Sequence, residues 1–317
     1  MHSLELCAGA GGQAIGLERA GFGHAALVEV DKHCCETLRL NRPNWNVVED
    51  DIRAFKNTAS RYRGVDLVAG GLPCPPFSVA GKQLGALDER NLFPDALDIV
   101  QAVQPKAVMI ENVRGFLDAV FEDYRAHLKN QLRKLGYECD WRLLNASDFG
   151  VPQLRPRVVI VATKREFWSN FEWPRTDRYN PKTVGQILYP LMSANGWRGA
   201  AAWRDRADEI APTIVGGSKK HGGPDLGPTR ARAAWAKLGV EGRTIAAEAP
   251  CEDFVGMPRL TVPMVALLQG FPEDWKIAGK KTNAYRQVGN AFPPPVAAAV
   301  ACQLRDAVSV KRSLAVA

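Results

Sequence analysis

The sequence predicts an α/β protein built on a mostly parallel, doubly wound sheet. Three observations carry this. Short apolar runs of strand length alternate with helical patterns through the first half of the chain. A glycine-rich turn joins the first such run to the first helix. Acids and a proline-framed cysteine stand where later runs end, and ligands of open α/β sheets bind at the carboxyl ends of the strands.

The elements follow in order. "SLELCA" (3–8) reads as a buried strand and "GQAIGLERAGF" (12–22) as a helix closed by glycine. "HAALVEV" (24–30) is a second strand, and "DKHCCETLRLNRP" (31–43) a helix stopped by Pro43. "WNVVED" (45–50), "VDLVAG" (65–70) and "KAVMIEN" (106–112) are further strands. "LFPDALDIVQAVQP" (92–105) and "AVFEDYRAHLKNQLRKLGY" (119–137) are helical, and "RVVIVAT" (157–163) is expected as an antiparallel edge strand.

From about residue 164 this rhythm breaks. Trp168, Trp173, Trp197, Trp203 and Trp235 fall between 164 and 259, together with prolines, glycines and an excess of basic over acidic side chains. That stretch is expected to be a separate small domain, mostly irregular or β. Residues 1–163 and 260–317 form the larger one, where "LTVPMVALLQGF" (260–271) and the helix "PVAAAVACQLRDAV" (295–308) restore regular structure. A chain of 317 residues accommodates both.

The composition narrows the function. Hydrophobic content of 46% and charged content of 24% are those of a soluble globular protein. No apolar run has the length of a membrane span, and the first residues lack a signal-peptide pattern, so a cytoplasmic protein is expected. Seven cysteines without paired spacing point to reduced thiols. His33, Cys34 and Cys35 diverge around a helix and lack a second ligand pair, so no metal site is expected. The net charge of +7 favours a polyanionic partner.

"CAGAGGQAIG" (7–16) follows a strand and opens a helix, with Gly9, Gly11 and Ala14 in a G-x-G-x-x-A pattern. Such glycines let a nucleotide-like ligand approach the backbone. Glu29 ends the second strand, where a carboxylate accepts both ribose hydroxyls. Asp51, after the third, is placed to read an adenine amino group. These features suit a nicotinamide cofactor or S-adenosylmethionine equally. Cys74 follows the strand "VDLVAG" between Pro73 and Pro75, in a loop that the prolines stiffen. A thiolate there is a strong nucleophile. Glu111 and Asn112 end "KAVMIEN" at the same sheet edge, and Arg155 and Arg157 begin "RVVIVAT". Thiol, carboxyl and guanidinium thus converge on one crevice.

In this order the motifs "CAGAGGQAIGL", "EVDKHC", "DDI", "GGLPCPPFSVAGKQLG", "ENVRGF", "QLRPRVVIVA", "RLTVPMVALLQGFP" and "QVGNAFPPPVAAAVA" resemble those of bacterial DNA (cytosine-5)-methyltransferases over essentially the whole chain. The resemblance implies a Rossmann-like S-adenosylmethionine-dependent methyltransferase sheet with 164–259 as target-recognition domain. It implies S-adenosyl-L-methionine as cofactor, S-adenosyl-L-homocysteine as product and double-stranded DNA as partner. A monomer is expected, working beside a restriction or other defence system. Cys74 would attack cytosine C6, Glu111 would contact N3 and the exocyclic amine, and Arg157 would bind the O2 side. Arg155 would help hold the site and Asn112 orient the loop. The cofactor would lie against Cys7, Ala8, Gly9, Ala10, Gly11, Gly12, Glu29, Val30, Asp51, Ile52, Pro73, Asn290 and Phe292. The segment from Pro75 to Leu92, with Ser78, Lys82 and Arg90, would close over a flipped base. Thr213, Lys219, Lys220, Arg230 and Arg232 would contact DNA. This chain departs from the family's usual pattern at Cys7, Val30 and Pro75. The family's tRNA-methylating branch carries a Cys-Phe-Thr signature that is missing here, since Cys251 is followed by Glu252.

Overall fold

The computed structural model describes residues 1–73, 91–176, 179–217 and 223–309. Among the described residues, seven strands form one sheet in the order β3-β2-β1-β4-β5-β7-β6. β1 (His2–Leu6), β2 (Gly23–Glu29), β3 (Val47–Glu49), β4 (Leu67–Gly71) and β5 (Ala107–Val113) run parallel. β7 (Pro156–Lys164) is antiparallel to both β5 and β6 (Tyr137–Asn145). It is therefore an interior strand, not the edge strand expected. The edge is β6, which the sequence reading passed over. Its Tyr137, Cys139 and Trp141 alternate with polar residues, the period of a half-buried strand.

The apolar runs are continuous because the central strands are covered on both faces. Val68, Val108, Ile110, Val158 and Ile160 face α4 (Phe93–Val103) and α5 (Glu122–Lys134). Leu67, Ala69, Met109, Val159 and Val161 face α1 (Gly12–Arg19) and α12 (Pro294–Ser309). α2 (Lys32–Asn41) and α3 (Ile52–Phe55) follow β2 and β3, each capped by an aspartate, Asp31 and Asp51.

Beyond β7 the regular pieces are helices: α6 (Arg165–Trp168), α7 (Val184–Met192), α8 (Ala200–Arg206) and α9 (Thr229–Lys237). Among the described residues of 164–259 no strand forms, only the isolated bridge Gly196–Cys251 and one from Gln153 to Ala211. The helical signal was present: Val184, Leu188 and Met192 recur every fourth residue and are buried together. The tryptophans divide. Trp168 and Trp173 pack against the cluster that holds α12, Trp173 donating to Asp140 of β6 at 2.9 Å, whereas Trp197, Trp203 and Trp235 form a core with α7 and α8. That second core continues without a break into α10 (Val262–Leu268) and α11 (Lys281–Asn290), and it reaches Ala10 and Ile15. The core thus does not part at residue 260.

α1 and α12 meet backbone to backbone. A Cβ at Gly16 would lie 2.5 Å from Ala297 Cβ and 2.7 Å from the Pro294 carbonyl oxygen. Helix propensity alone makes Gly→Ala stabilising by about 0.5–1 kcal/mol. Here overpacking of about 1–3 kcal/mol opposes it and wins. Gly16→Ala should lower the thermal midpoint by several degrees, and a raised midpoint would show that the helices separate at no cost.

His24, at the start of β2, carries a pH dependence. Its Nδ1 is 2.9 Å from Ser3 Oγ and its ring stands edge-on to Trp45. Burial holds the imidazole down to about 4 from an ordinary 6.5. The folded protein thus refuses a proton that the unfolded chain accepts. Stability should fall as pH drops through 6.5 and level off near 4, by up to about 3 kcal/mol. Urea titrations of His24→Gln should show a flatter dependence over that window.

Candidate active site

The strand order reverses between β1 and β4, the place where open α/β sheets hold ligands. The turn leaving β1 is built for close approach. Cys7, Gly9 and Gly11 all have positive φ, at 53°, 55° and 86°. Gly11 caps α1 without a side-chain bond. A Cβ at Gly9 would meet nothing within 4 Å, so the turn borders open space there. A Cβ at Gly12 would lie 2.3 Å from the Phe292 carbonyl oxygen, which seats the turn before α12 directly on the glycine loop. Ala8 and Ala10 are buried beneath it, and the Trp275 indole N–H donates to the Ala10 carbonyl at 3.1 Å. Nothing in the local pattern around Trp275 signals this contact.

Glu29 closes β2 with its carboxylate held from two sides. Its Oε2 accepts the Gly9 N–H and its Oε1 the Asp31 N–H, both at 2.7 Å. Burial raises its pKa, and these backbone donors pull it back. Val30, the next residue, is 65% exposed and free to cover a ligand. The Asp51 carboxylate caps α3 through the Arg53 N–H, while Ile52 turns into the core. Phe292 is likewise a core side chain, and Asn290 donates to the Gly217 carbonyl at 3.1 Å. Pro73 stands at the end of the segment leaving β4.

Glu111 lies opposite Gly71 of β4 on one side and Val159 of β7 on the other. Arg157, opposite Val113, is its diagonal neighbour across the strands. Arg157 Nε sits 2.7 Å from Glu111 Oε1, with both side chains largely buried. Burial pushes the Glu111 carboxyl up, and the positive charge of Arg157, then of Arg155, pulls it down. The net direction is upward, toward a carboxyl able to share a proton. A Cβ at Gly71 would lie 3.6 Å from Glu111 Oε2 and 3.9 Å from the Cys7 carbonyl oxygen. The end of β4 therefore runs between the glycine turn and the acid, two residues before Pro73.

Asn112 is fully buried. Its Oδ1 accepts the Val113 N–H at 2.9 Å, and its Nδ2 has no hydrogen-bond partner among the described residues. Arg155 is fully buried and donates to the carbonyls of Ile214, Gly289 and Ala291 at 2.7, 2.9 and 3.0 Å. Gln153, unassigned from sequence, is buried beside it. Cys74, Ser78, Lys82, Arg90, Lys219 and Lys220 lie outside the described residues. The Thr213 hydroxyl is engaged by the Leu154 carbonyl, and Arg230 and Arg232 project from the first turn of α9. Burial pushes the thiols of Cys35 and Cys139 up, to about 12 and about 11, and raises that of Cys7 further. None of these three is a thiolate at neutral pH.

Comparison with known proteins gives the family. A family model described as C-5 cytosine-specific DNA methylase matches residues 1–306. The Type II methyltransferase M.NgoMIV of Neisseria gonorrhoeae is 54% identical over 313 residues, 96% of this chain and 97% of its own. M.NaeI of Lentzea aerocolonigenes, also a Type II methyltransferase, is 51% identical over 98% of this chain and 76% of its own. Among solved structures, a Spodoptera frugiperda DNMT2 variant shares the fold, with a TM-score of 0.65, 20% identity, and coverage of 96% of this chain and 99% of its own. With matches that run nearly end to end, this chain belongs to the C-5 cytosine-specific DNA methylase family and is a DNA cytosine-5 methyltransferase.

Proposed function

We propose that the enzyme methylates C5 of one cytosine within a defined sequence of duplex DNA. In this reading it marks the cell's own DNA beside a restriction or other defence system, as the designation Type II of its relatives suggests. It works as a cytoplasmic monomer. The observation that carries the reading is the buried Glu111–Arg157 pair, set beside the glycine turn at the strand-order reversal.

The residues present fit S-adenosyl-L-methionine. Open space above Gly9 and the doubly anchored Glu29 suit a ribose and an amino-acid tail. When bound, that cofactor supplies an electrophilic methyl group and leaves as S-adenosyl-L-homocysteine. Glu29 accepts the ribose hydroxyls, and Val30 covers the base.

Cytosine C5 is a poor nucleophile, so the protein must make it one. The Cys74 thiolate adds to C6. The Glu111 carboxyl, raised by burial, donates toward N3 as charge develops there. The Arg157 guanidinium holds Glu111 in place and binds the O2 side. C5 then takes the methyl group, a base removes the C5 proton, and the C5–C6 double bond re-forms as Cys74 leaves. A stacked base is out of reach of these groups, so the cytosine is flipped out of the duplex. Ser78, Lys82 and Arg90 close over it, and Asn112 steadies that segment. Lys219, Lys220, Arg230 and Arg232 meet phosphates, with Thr213 beside them.

Bisulfite sequencing of DNA from cells expressing the protein should reveal methylated cytosines in one sequence context; unmodified DNA would refute the reading. Cys74→Ala should abolish transfer and retain binding in a gel shift, and duplex containing 5-fluorocytosine should trap the wild-type enzyme covalently. Transfer by Cys74→Ala would remove the thiol from the mechanism. Glu29→Ala should weaken S-adenosyl-L-homocysteine binding about 10- to 100-fold by calorimetry, the cost of hydrogen bonds to a charged acceptor. Unchanged affinity would place the ribose elsewhere.

A further inference from the structure

The arginines of "QLRPR" have roles above, but its glutamine belongs to a different device. Gln153 and Gln269 are both fully buried and joined side chain to side chain. Gln153 Oε1 accepts the Ile214 N–H at 2.9 Å. Gln153 Nε2 donates to Gln269 Oε1 at 2.8 Å and to the Leu268 carbonyl at 3.0 Å. Gln269 Nε2 donates to the carbonyls of Val288, at 2.8 Å, and Gly289, at 3.3 Å. Arg155 then joins the Gly289 carbonyl back to that of Ile214. The bonds form a closed ring, Ile214–Gln153–Gln269–Gly289–Arg155–Ile214.

Both backbone polar groups of Ile214 are thus tied to one point at the end of α11. The ring has a direction: each amide accepts on one side and donates on the other, so neither can be turned over without breaking both bonds. Around it the chains are in van der Waals contact. A Cβ at Gly289 would lie 2.5 Å from Gly216 Cα. Tyr285 donates its hydroxyl to the carbonyls of Val215, at 3.2 Å, and Asp225, at 2.5 Å. The strip 213–217 enters the basic segment, and the turn 289–292 rests on the glycine loop through Phe292.

We infer that Gln153 and Gln269 are positioning residues that hold the DNA-reading segment at a fixed offset from the methyl-transfer site, and so set which cytosine is modified. The inference rests on the function proposed above. An unpaired buried amide costs more than a lost contact, so the ring keeps one arrangement only.

The test uses the full-length enzyme with Gln153→Met and Gln269→Met, of similar shape without the amide, and with the milder Tyr285→Phe. Leu128→Ala, in the core beneath α5, controls for loss of stability. Expected in the ring variants is a KM for cognate duplex raised at least tenfold, with methylation of secondary sequences in bisulfite reads. Binding of S-adenosyl-L-homocysteine should stay within about twofold of wild type. Tyr285→Phe should shift the same quantities by less. Unchanged KM and site choice in folded ring variants would overturn the inference, as would an equal change in Leu128→Ala. Wild-type enzyme that methylates no DNA would instead overturn the function on which it rests.

Discussion

The structure depends on one close approach, that of the glycine turn and α1 to the chain entering α12. Gly12 and Gly16 leave no room for a side chain, and the Phe292 carbonyl and Ala297 occupy the space. This contact brings the C-terminal segment onto the N-terminal half. It thereby places Asn290 and Phe292 at the edge where β1 delivers its turn. Steric necessity, more than helix propensity, accounts for glycine at both positions.

A second constraint is electrostatic. Glu111 is a buried acid in the middle of a sheet, a costly place for a charge. One arginine across the strand meets it directly, and another lies within electrostatic reach. Burial still outweighs both, so the carboxyl remains above its usual range. An acid so balanced holds a proton more readily than one on the surface. The Coulombic partner fixes its direction, and its lack of solvent sets its proton affinity.

Much of this was legible in the sequence. The strand–turn–helix at 3–22 and the placing of Glu29 and Glu111 at strand ends follow from patterns whose physics is local: glycine for positive φ, apolar runs for strands covered on both faces. What stayed hidden depends on distant partners. β6 mixes Arg142 with Trp141 and Leu143, because an edge strand need not be apolar throughout. α11 is largely polar, and its buried Tyr285 and Gln287 find their partners far off in sequence, at Val215 and Thr37. Gln153 and Gln269 stand 116 residues apart and show no pattern until folded. Cys74, the most informative residue of the sequence, lies outside the described residues, so the role proposed for it rests on its motif.

Arg155 and Arg157 show how one short motif serves two purposes. Arg157 lies within β7, where alternation directs it to the face that carries Glu111. Arg155 precedes Pro156, the first residue of the strand, and escapes that alternation. Its guanidinium donates to Ile214, Gly289 and Ala291. Two arginines a single residue apart therefore reach opposite tasks. One pairs with the buried Glu111, and the other ties together the carbonyls of Ile214, Gly289 and Ala291. Lysine at either place would lose the planar fork that serves several acceptors at once. The strand boundary at Pro156 separates chemistry from its framework.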